Sequence, residues 1–277
     1  MKIPLKTKAD IDIMREGGKI TSAALCAVKA AVRPGITPLE LDRIAEAAIK
    51  EMGGEASFKR VPGYKYTICS CLNDIVVHGI PQSEPLVVGD RMGIDVGAYY
   101  KGFHTDVSYS VLVTESGYWE PNEGDMKAVT GEKQRVSDVA NPTMEERKMF
   151  LTVGKRALIE SIEQAVVGNH IGDISYVLQT YLECAGYGVV KELIGHGVGK
   201  DLHEPPQVPG RGKPGEGIIL KEGMVLAIEA IYSLGKPGVA YKDNDGWSIA
   251  TADFSLSGLY EASVAIKVGG PEVLTLW

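Results

Sequence analysis

Two aspartates constrain this chain more than any other feature: Asp95 and Asp106, in the run Gly93-Ile-Asp-Val-Gly-Ala-Tyr-Tyr-Lys-Gly-Phe-His-Thr-Asp-Val-Ser. A hairpin centred on Tyr100-Lys101 sets the two carboxylates directly opposite each other. Directly opposed residues share a sheet face, with Cβ atoms roughly 5 Å apart. Two bare carboxylates at that separation repel, and one must take up a proton unless a cation stands between them. A metal-bridging pair is one resolution. An exposed pair in a polar hairpin is another, and a bulge at Gly102 that sends the two side chains to different faces is a third.

Further acidic and imidazole residues lie inside apolar or glycine-rich, strand-like runs. His196 falls in Leu193-Ile-Gly-His-Gly-Val-Gly, Glu229 in Met224-Val-Leu-Ala-Ile-Glu-Ala-Ile-Tyr, and Glu261 in Leu259-Tyr-Glu-Ala-Ser-Val-Ala-Ile. A carboxylate in such a run is expected to be largely buried, and buried charges persist only when paired or metal-bound. Four carboxylates and one imidazole call for a large compensating charge. Two divalent cations roughly 3.5 to 4 Å apart supply it, in the arrangement used to activate water for hydrolysis.

Those segments are joined by Met14-Arg-Glu-Gly-Gly, Arg33-Pro-Gly-Ile-Thr, Asn73-Asp-Ile-Val-Val-His-Gly-Ile-Pro, His203-Glu-Pro-Pro and Asp245-Gly-Trp. Their order and spacing resemble the type I methionine aminopeptidases over nearly the whole chain. His196 and Glu229 are only 33 positions apart, where type II enzymes carry a large insert. The resemblance implies an α/β (α+β) pita-bread fold, with pseudo-two-fold duplicated helix pairs around a central antiparallel sheet. It implies that Asp95 holds one metal, that Asp106 and Glu261 bridge two, and that His196 and Glu229 complete the second site. A hydroxide activated between the metals would attack the scissile carbonyl. Hard carboxylates with a single imidazole suit Mn²⁺, Fe²⁺ or Co²⁺, and Zn²⁺ is also tolerated. By the same resemblance Glu229 shuttles a proton, while His78 and His203 hydrogen-bond the substrate and the developing oxyanion. Phe58, Tyr64, Cys69, Leu202 and Trp247 would line a pocket for the methionine side chain. The implied activity is removal of initiator methionine from peptides and nascent chains, by a monomer working near the ribosome. Two other pita-bread functions stay open: a Xaa-Pro-type peptidase and a non-catalytic peptide-binding protein. His104 and His170 are read as ordinary solvated histidines.

A faint internal repeat accords with a duplicated fold. Residues 18–32 and 39–52 read as helix, turn, helix, and 154–167 with 174–185 repeat the pattern about 135 residues later. One domain spanning 1–277 is expected. The net charge of -7, from 29 Lys plus Arg against 36 Asp plus Glu, gives no electrostatic reason to bind nucleic acid. The first residues lack the apolar core of a signal peptide and no stretch of 18 apolar residues exists, so a cytoplasmic location without membrane contact is expected. The four cysteines have no zinc-ribbon spacing and read as free thiols.

Three residues depart from the family pattern. Ala230 stands where proline is usual, Ala262 where histidine is usual, and Leu202 where an aromatic is usual. The first two are expected to act beside the metal ligands and to shift metal affinity by about 10- to 100-fold. An insertion-like segment at about 115–142 exceeds the family connection by about two dozen residues, a length that points to function or disorder. It is read either as a flap or partner-binding element anchored by Tyr118 and Trp119, or as a charged surface excursion.

Overall fold

The computed structural model describes residues 3–129, 132–134, 136–242 and 245–277. Its helices are α1 (Lys8–Ala31), α2 (Pro38–Glu51), α3 (Glu123–Lys127), α4 (Met144–Ile162) and α5 (Ile171–Cys184), with a 3-10 turn at Phe58–Arg60. The strands of the first half are β1 (Glu55–Ala56), β2 (Ile68–Leu72), β3 (Ile75–Val77), β4 (Arg91–Tyr100), β5 (Phe103–Thr114) and β6 (Gly117–Trp119). Those of the second half are β7 (Gly188–Val189), β8 (Gly195–Gly197), β9 (Glu204–Val208), β10 (Val225–Ser233), β11 (Val239–Tyr241), β12 (Ile249–Thr251), β13 (Ser257–Lys267) and β14 (Gly270–Val273).

The expected duplication is visible in the sheet. The main sheet runs β1-β4-β5-β13-β10-β8-β9, with β2 also paired to β4, and its central neighbours are antiparallel. Outward from the centre, the first half of the chain contributes β5, β4 and β2, and the second half contributes β13, β10 and β8. Each set follows its own helix pair, α1 with α2 and α4 with α5. Side chains alternate along a strand, so Ile94, Val107, Tyr109, Ile228, Tyr232 and Tyr260 share the face that packs on Leu25, Val28, Phe150 and Leu158. The opposite face carries Asp95, Asp106, Glu229 and Glu261.

Both long helices start about ten residues earlier than the sequence pattern suggests. Thr7 caps α1 in a reciprocal capping box with Asp10, and Thr143 caps α4 with Glu146. The glycines that resemble boundaries, Gly18 and Gly154, are interior contact points. A Cβ at Gly18 would lie 2.1 Å from the Leu274 carbonyl oxygen, and one at Gly154 would lie 1.9 Å from Tyr232 Oη. Close approach of helix to sheet outweighs the cost of about 1 kcal/mol for glycine within a helix.

The described residues around β6 and α3, within the 115–142 segment, pack on the helix side of the sheet. β6 pairs with the end of β5, Lys29 Nζ meets Glu120 at 2.7 Å, and Lys155 Nζ donates to the Pro121 carbonyl at 2.7 Å. Tyr118 and Trp119 rest half-buried against the core. None of the described residues of this segment lines the cavity on the opposite face, so the flap reading is not met among them.

Candidate metal centre

The hairpin turns one residue later than expected. Lys101 and Gly102 form its two-residue loop with φ of 47° and 94°, the left-handed pair that suits a tight hairpin. The register is therefore Asp95 opposite Ser108 and Gly97 opposite Asp106. The two aspartates stand diagonally rather than directly across from each other. Moving a turn by one residue shifts the pairing by two, which keeps both carboxylates on one face and excludes the bulge. The directly opposed acidic pair is Glu229 and Glu261, on β10 and β13.

A single row crosses the sheet through these pairings. Cys69 faces Asp95, Asp95 faces Ser108, Ser108 faces Glu261, and Glu261 faces Glu229. His196 lies opposite Ala227, two residues along from Glu229 and so on the same face. Hydroxyls stitch the central seam. Ser110 Oγ donates to the Leu259 carbonyl at 2.9 Å, and the Asp106 amide donates to Ser263 Oγ at 2.9 Å. These bonds fix the backbone beneath Asp106 and Glu261 across the junction of the two halves.

Asp106, His196 and Glu261 each offer a donor atom within 4.8 Å of the others, and His196 Nε2 is 3.6 Å from Glu229 Oε1. His196 Nδ1 sits 2.8 Å from the Gly197 carbonyl, which can only accept. The proton is thus on Nδ1, and the Nε2 lone pair faces the carboxylates. Burial, with His203 nearby, lowers the His196 pKa to about 4, so the ring is neutral at pH 7. Ser108 Oγ donates to Glu261 Oε2 at 2.7 Å, and Asp106 Oδ1 accepts the Val107 amide at 3.0 Å.

The remaining electrostatics are unfavourable without a cation. Burial pushes the Asp95 carboxyl up to about 7 and that of Glu261 up to about 8. Burial and the neighbouring carboxylates drive Asp106 and Glu229 well above the usual range. Among the described residues no lysine or arginine pairs with any of the four, and Asp95 Oδ1 and Glu261 Oε1 have no hydrogen-bond partner. Buried carboxylate oxygens left open, beside a neutral imidazole lone pair, form a donor set that a divalent cation satisfies.

These side chains line a cavity of about 140 Å³. The site residues expected from the sequence meet there: the five expected metal ligands, His78 and His203, and the apolar wall of Phe58, Tyr64, Cys69, Leu202 and Trp247. Tyr64 packs edge-on to Trp247 at 5.0 Å and to Phe58 at 6.4 Å, and the His203 ring meets His196 edge-on at 4.3 Å. Burial lowers the pKa of both His78 and His203. Sequence reasoning missed Val61, Val77, Ser108 and Leu259 as lining residues. Period-two alternation from Asp106 and Glu261 marks Ser108 and Leu259; nothing comparable marks Val61.

Two expectations need correcting. His104 is buried, not solvated, with Nδ1 2.9 Å from Ser57 Oγ. Ala230 and Ala262 lie on the helix side, within the core and away from the ligands, because each follows its glutamate by one strand residue.

Comparison with known proteins places this geometry. The pattern of metallopeptidase family M24 matches residues 12–256. The methionine aminopeptidase of Clostridium perfringens is 40% identical over 274 residues, covering 99% of each chain. Methionine aminopeptidase 1 of Bacillus subtilis is 36% identical over 270 residues, 98% of each. The crystal structure of methionine aminopeptidase from Thermotoga maritima superposes with a TM-score of 0.87 at 32% identity, over 100% of both chains. The chain therefore belongs to metallopeptidase family M24, among its methionine aminopeptidases.

Proposed function

We propose that this protein is a metal-dependent aminopeptidase that removes N-terminal methionine from peptides and nascent chains. One observation carries the reading: a buried donor set with open carboxylate oxygens forms the floor of a cavity whose wall is apolar and aromatic. Asp95, Asp106, His196, Glu229 and Glu261 would hold two divalent cations, of the Mn²⁺, Fe²⁺, Co²⁺ or Zn²⁺ type. Such ions, when bound, lower the pKa of water and polarise a carbonyl.

The chain's own residues do the rest. Glu229, at the edge of the set beside His196, takes up a proton on a carboxylate oxygen and returns it to the departing amine. His78 and His203 are neutral at pH 7, so each presents a ring N–H to the peptide carbonyl as negative charge grows on its oxygen. Replacing His203 by alanine is expected to lower kcat by about 10²- to 10³-fold, with a smaller change in KM. Steady-state kinetics with a methionyl tripeptide checks this, and an unchanged kcat rules the role out.

Phe58, Tyr64, Cys69, Leu202 and Trp247 accept the methionine side chain, an unbranched thioether that packs well on aromatic edges. Apolar pockets discriminate by about 1 to 3 kcal/mol per methylene. Phe58→Ala should therefore lower kcat/KM for methionyl peptides by about 10- to 100-fold and narrow their advantage over leucyl peptides. A pocket formed elsewhere would leave that ratio unchanged.

The chain works as one catalytic unit, residues 1–277, with an insertion-like loop at about 115–142. It acts as a cytoplasmic monomer close to the ribosome. No helix among the described residues is long and apolar enough to cross a membrane. Release of free methionine from Met-Ala-Ser by metal-stripped protein, with and without Mn²⁺ or Co²⁺, tests the proposal beside leucyl and Ala-Pro controls. Metal-restored, methionine-selective release is expected. Equal cleavage of the Ala-Pro peptide would favour a Xaa-Pro peptidase, and no cleavage with any metal would favour a binding protein.

A further inference from the structure

Arg91, the first residue of β4, is the largest fully buried side chain, and among the described residues no carboxylate answers its charge. Asp74 is a carboxylate near enough to influence it, yet both Asp74 oxygens are taken by Lys242 Nζ, at 2.7 and 2.9 Å. Three oxygens crowd one nitrogen instead. Arg91 Nη2 is 2.5 Å from the Asn73 carbonyl, 2.9 Å from the Ile75 carbonyl, and in contact with Ser257 Oγ. An NH₂ group has two hydrogens, so three acceptors around it resemble coordination of a charge more than three separate bonds. Nε and Nη1 have no hydrogen-bond partner among the described residues. Gly93 supplies the room, since a Cβ there would collide with Nη1.

An unpaired buried guanidinium is costly, and an apolar side chain of similar volume would normally serve stability better. The oxygens it gathers, however, belong to segments that lead into the active site. Asn73 and Ile75 precede His78, Ser257 opens the strand of Glu261, and Arg91 opens the strand of Asp95. We infer that Arg91 is a tethered cation: its guanidinium fills an oxygen cage built by Asn73, Ile75 and Ser257 and fixes the strand ends that carry His78, Asp95 and Glu261. Arg91 is thus a positioning residue. That last step rests on the aminopeptidase reading; the cage itself does not.

Chemical rescue tests both parts. Arg91→Ala leaves a space shaped for guanidinium and lined by its acceptors. Guanidinium ion, well below denaturing concentrations, should raise the Tm of this variant saturably and leave wild type unchanged, while urea, its neutral counterpart of the same shape, should not. The variant should also lose about 10- to 100-fold in kcat for Met-Ala-Ser with KM little altered, and guanidinium should restore part of that loss. Equal responses to urea and guanidinium, or equal responses of variant and wild type, would overturn the cage. Rescue of Tm without rescue of kcat would overturn the positioning role. Should the alanine variant not fold, Arg91→Lys and Arg91→Met decide the matter: the charged variant is expected to exceed the neutral one in both Tm and kcat, and the reverse order sinks the proposal. A wild type without peptidase activity would remove the functional reading and leave the Tm comparison standing.

Discussion

Asp106→Ala should abolish methionine release, lowering kcat by at least about 10³-fold, and should make the metal-free protein more stable than metal-free wild type. The first effect follows from its place in the tight group with His196 and Glu261. A cation that stabilises charge in the transition state needs to supply only about 4 kcal/mol to account for that factor. The second effect follows from the cost of burying a carboxyl among others. Burial, then the neighbouring Glu261, Asp95 and Glu229, raises the pKa of Asp106. Its deletion gives up one accepted hydrogen bond, from the Val107 amide, with a net worth of about 1 kcal/mol. Removing a buried carboxyl that must either hold a proton the unfolded chain releases or carry a charge beside three others outweighs that loss. Adding Mn²⁺ should reverse the order, because a ligand present at 100 times its Kd stabilises the native state by about 2.7 kcal/mol and the variant has lost a donor. Thermal unfolding of both proteins with EDTA and with Mn²⁺ reads the crossing. A metal-free variant less stable than metal-free wild type, or one with normal turnover, would remove Asp106 from the centre.

The donor set was legible in the sequence because charge inside an apolar strand has few physical excuses. Glu229 and Glu261 in particular could not be solvated within such runs, and the register sets them face to face. Parity was more robust than pairing. Placing the hairpin turn at Tyr100-Lys101 instead of Lys101-Gly102 displaced every partner by two but left each side chain on its proper face. Helix starts were harder to read. Gly18 and Gly154 look like boundaries by propensity, and only the approach of Leu274 and Tyr232 explains them inside helices. The same limit hid His104, whose burial depends on Ser57 and on the Gly199 carbonyl that accepts its amide, both far away in sequence. Arg91 gave no warning, since an arginine at a strand start reads as a solvated edge until three elements close over it.

The pH dependence of stability should change sign with metal. The four carboxylates of the cavity have folded pKa values raised above their unfolded values of about 3.8 to 4.5. In the metal-free protein the native state holds protons that the unfolded chain has released, so stability falls as pH rises through the raised values. Four histidines act the other way. His78, His104, His196 and His203 have pKa values lowered by burial, so they add stability as pH climbs towards about 6.5. Below that pH the two groups oppose each other. Above it the histidines are neutral in both states, and the carboxylates act alone. Metal-free protein should therefore lose stability between about pH 6.5 and 8, by about 1.4 kcal/mol per pH unit for each proton still held. Mn²⁺ requires those carboxylates ionised, so its affinity rises over the same interval. The gap between metal-loaded and metal-free Tm should widen steadily from pH 6.5 to 8, and Asp106→Ala should flatten the metal-free slope. A metal-free Tm that holds constant or climbs over this interval would mean that the carboxylates are already ionised in the folded chain, and that something other than a divalent cation balances them.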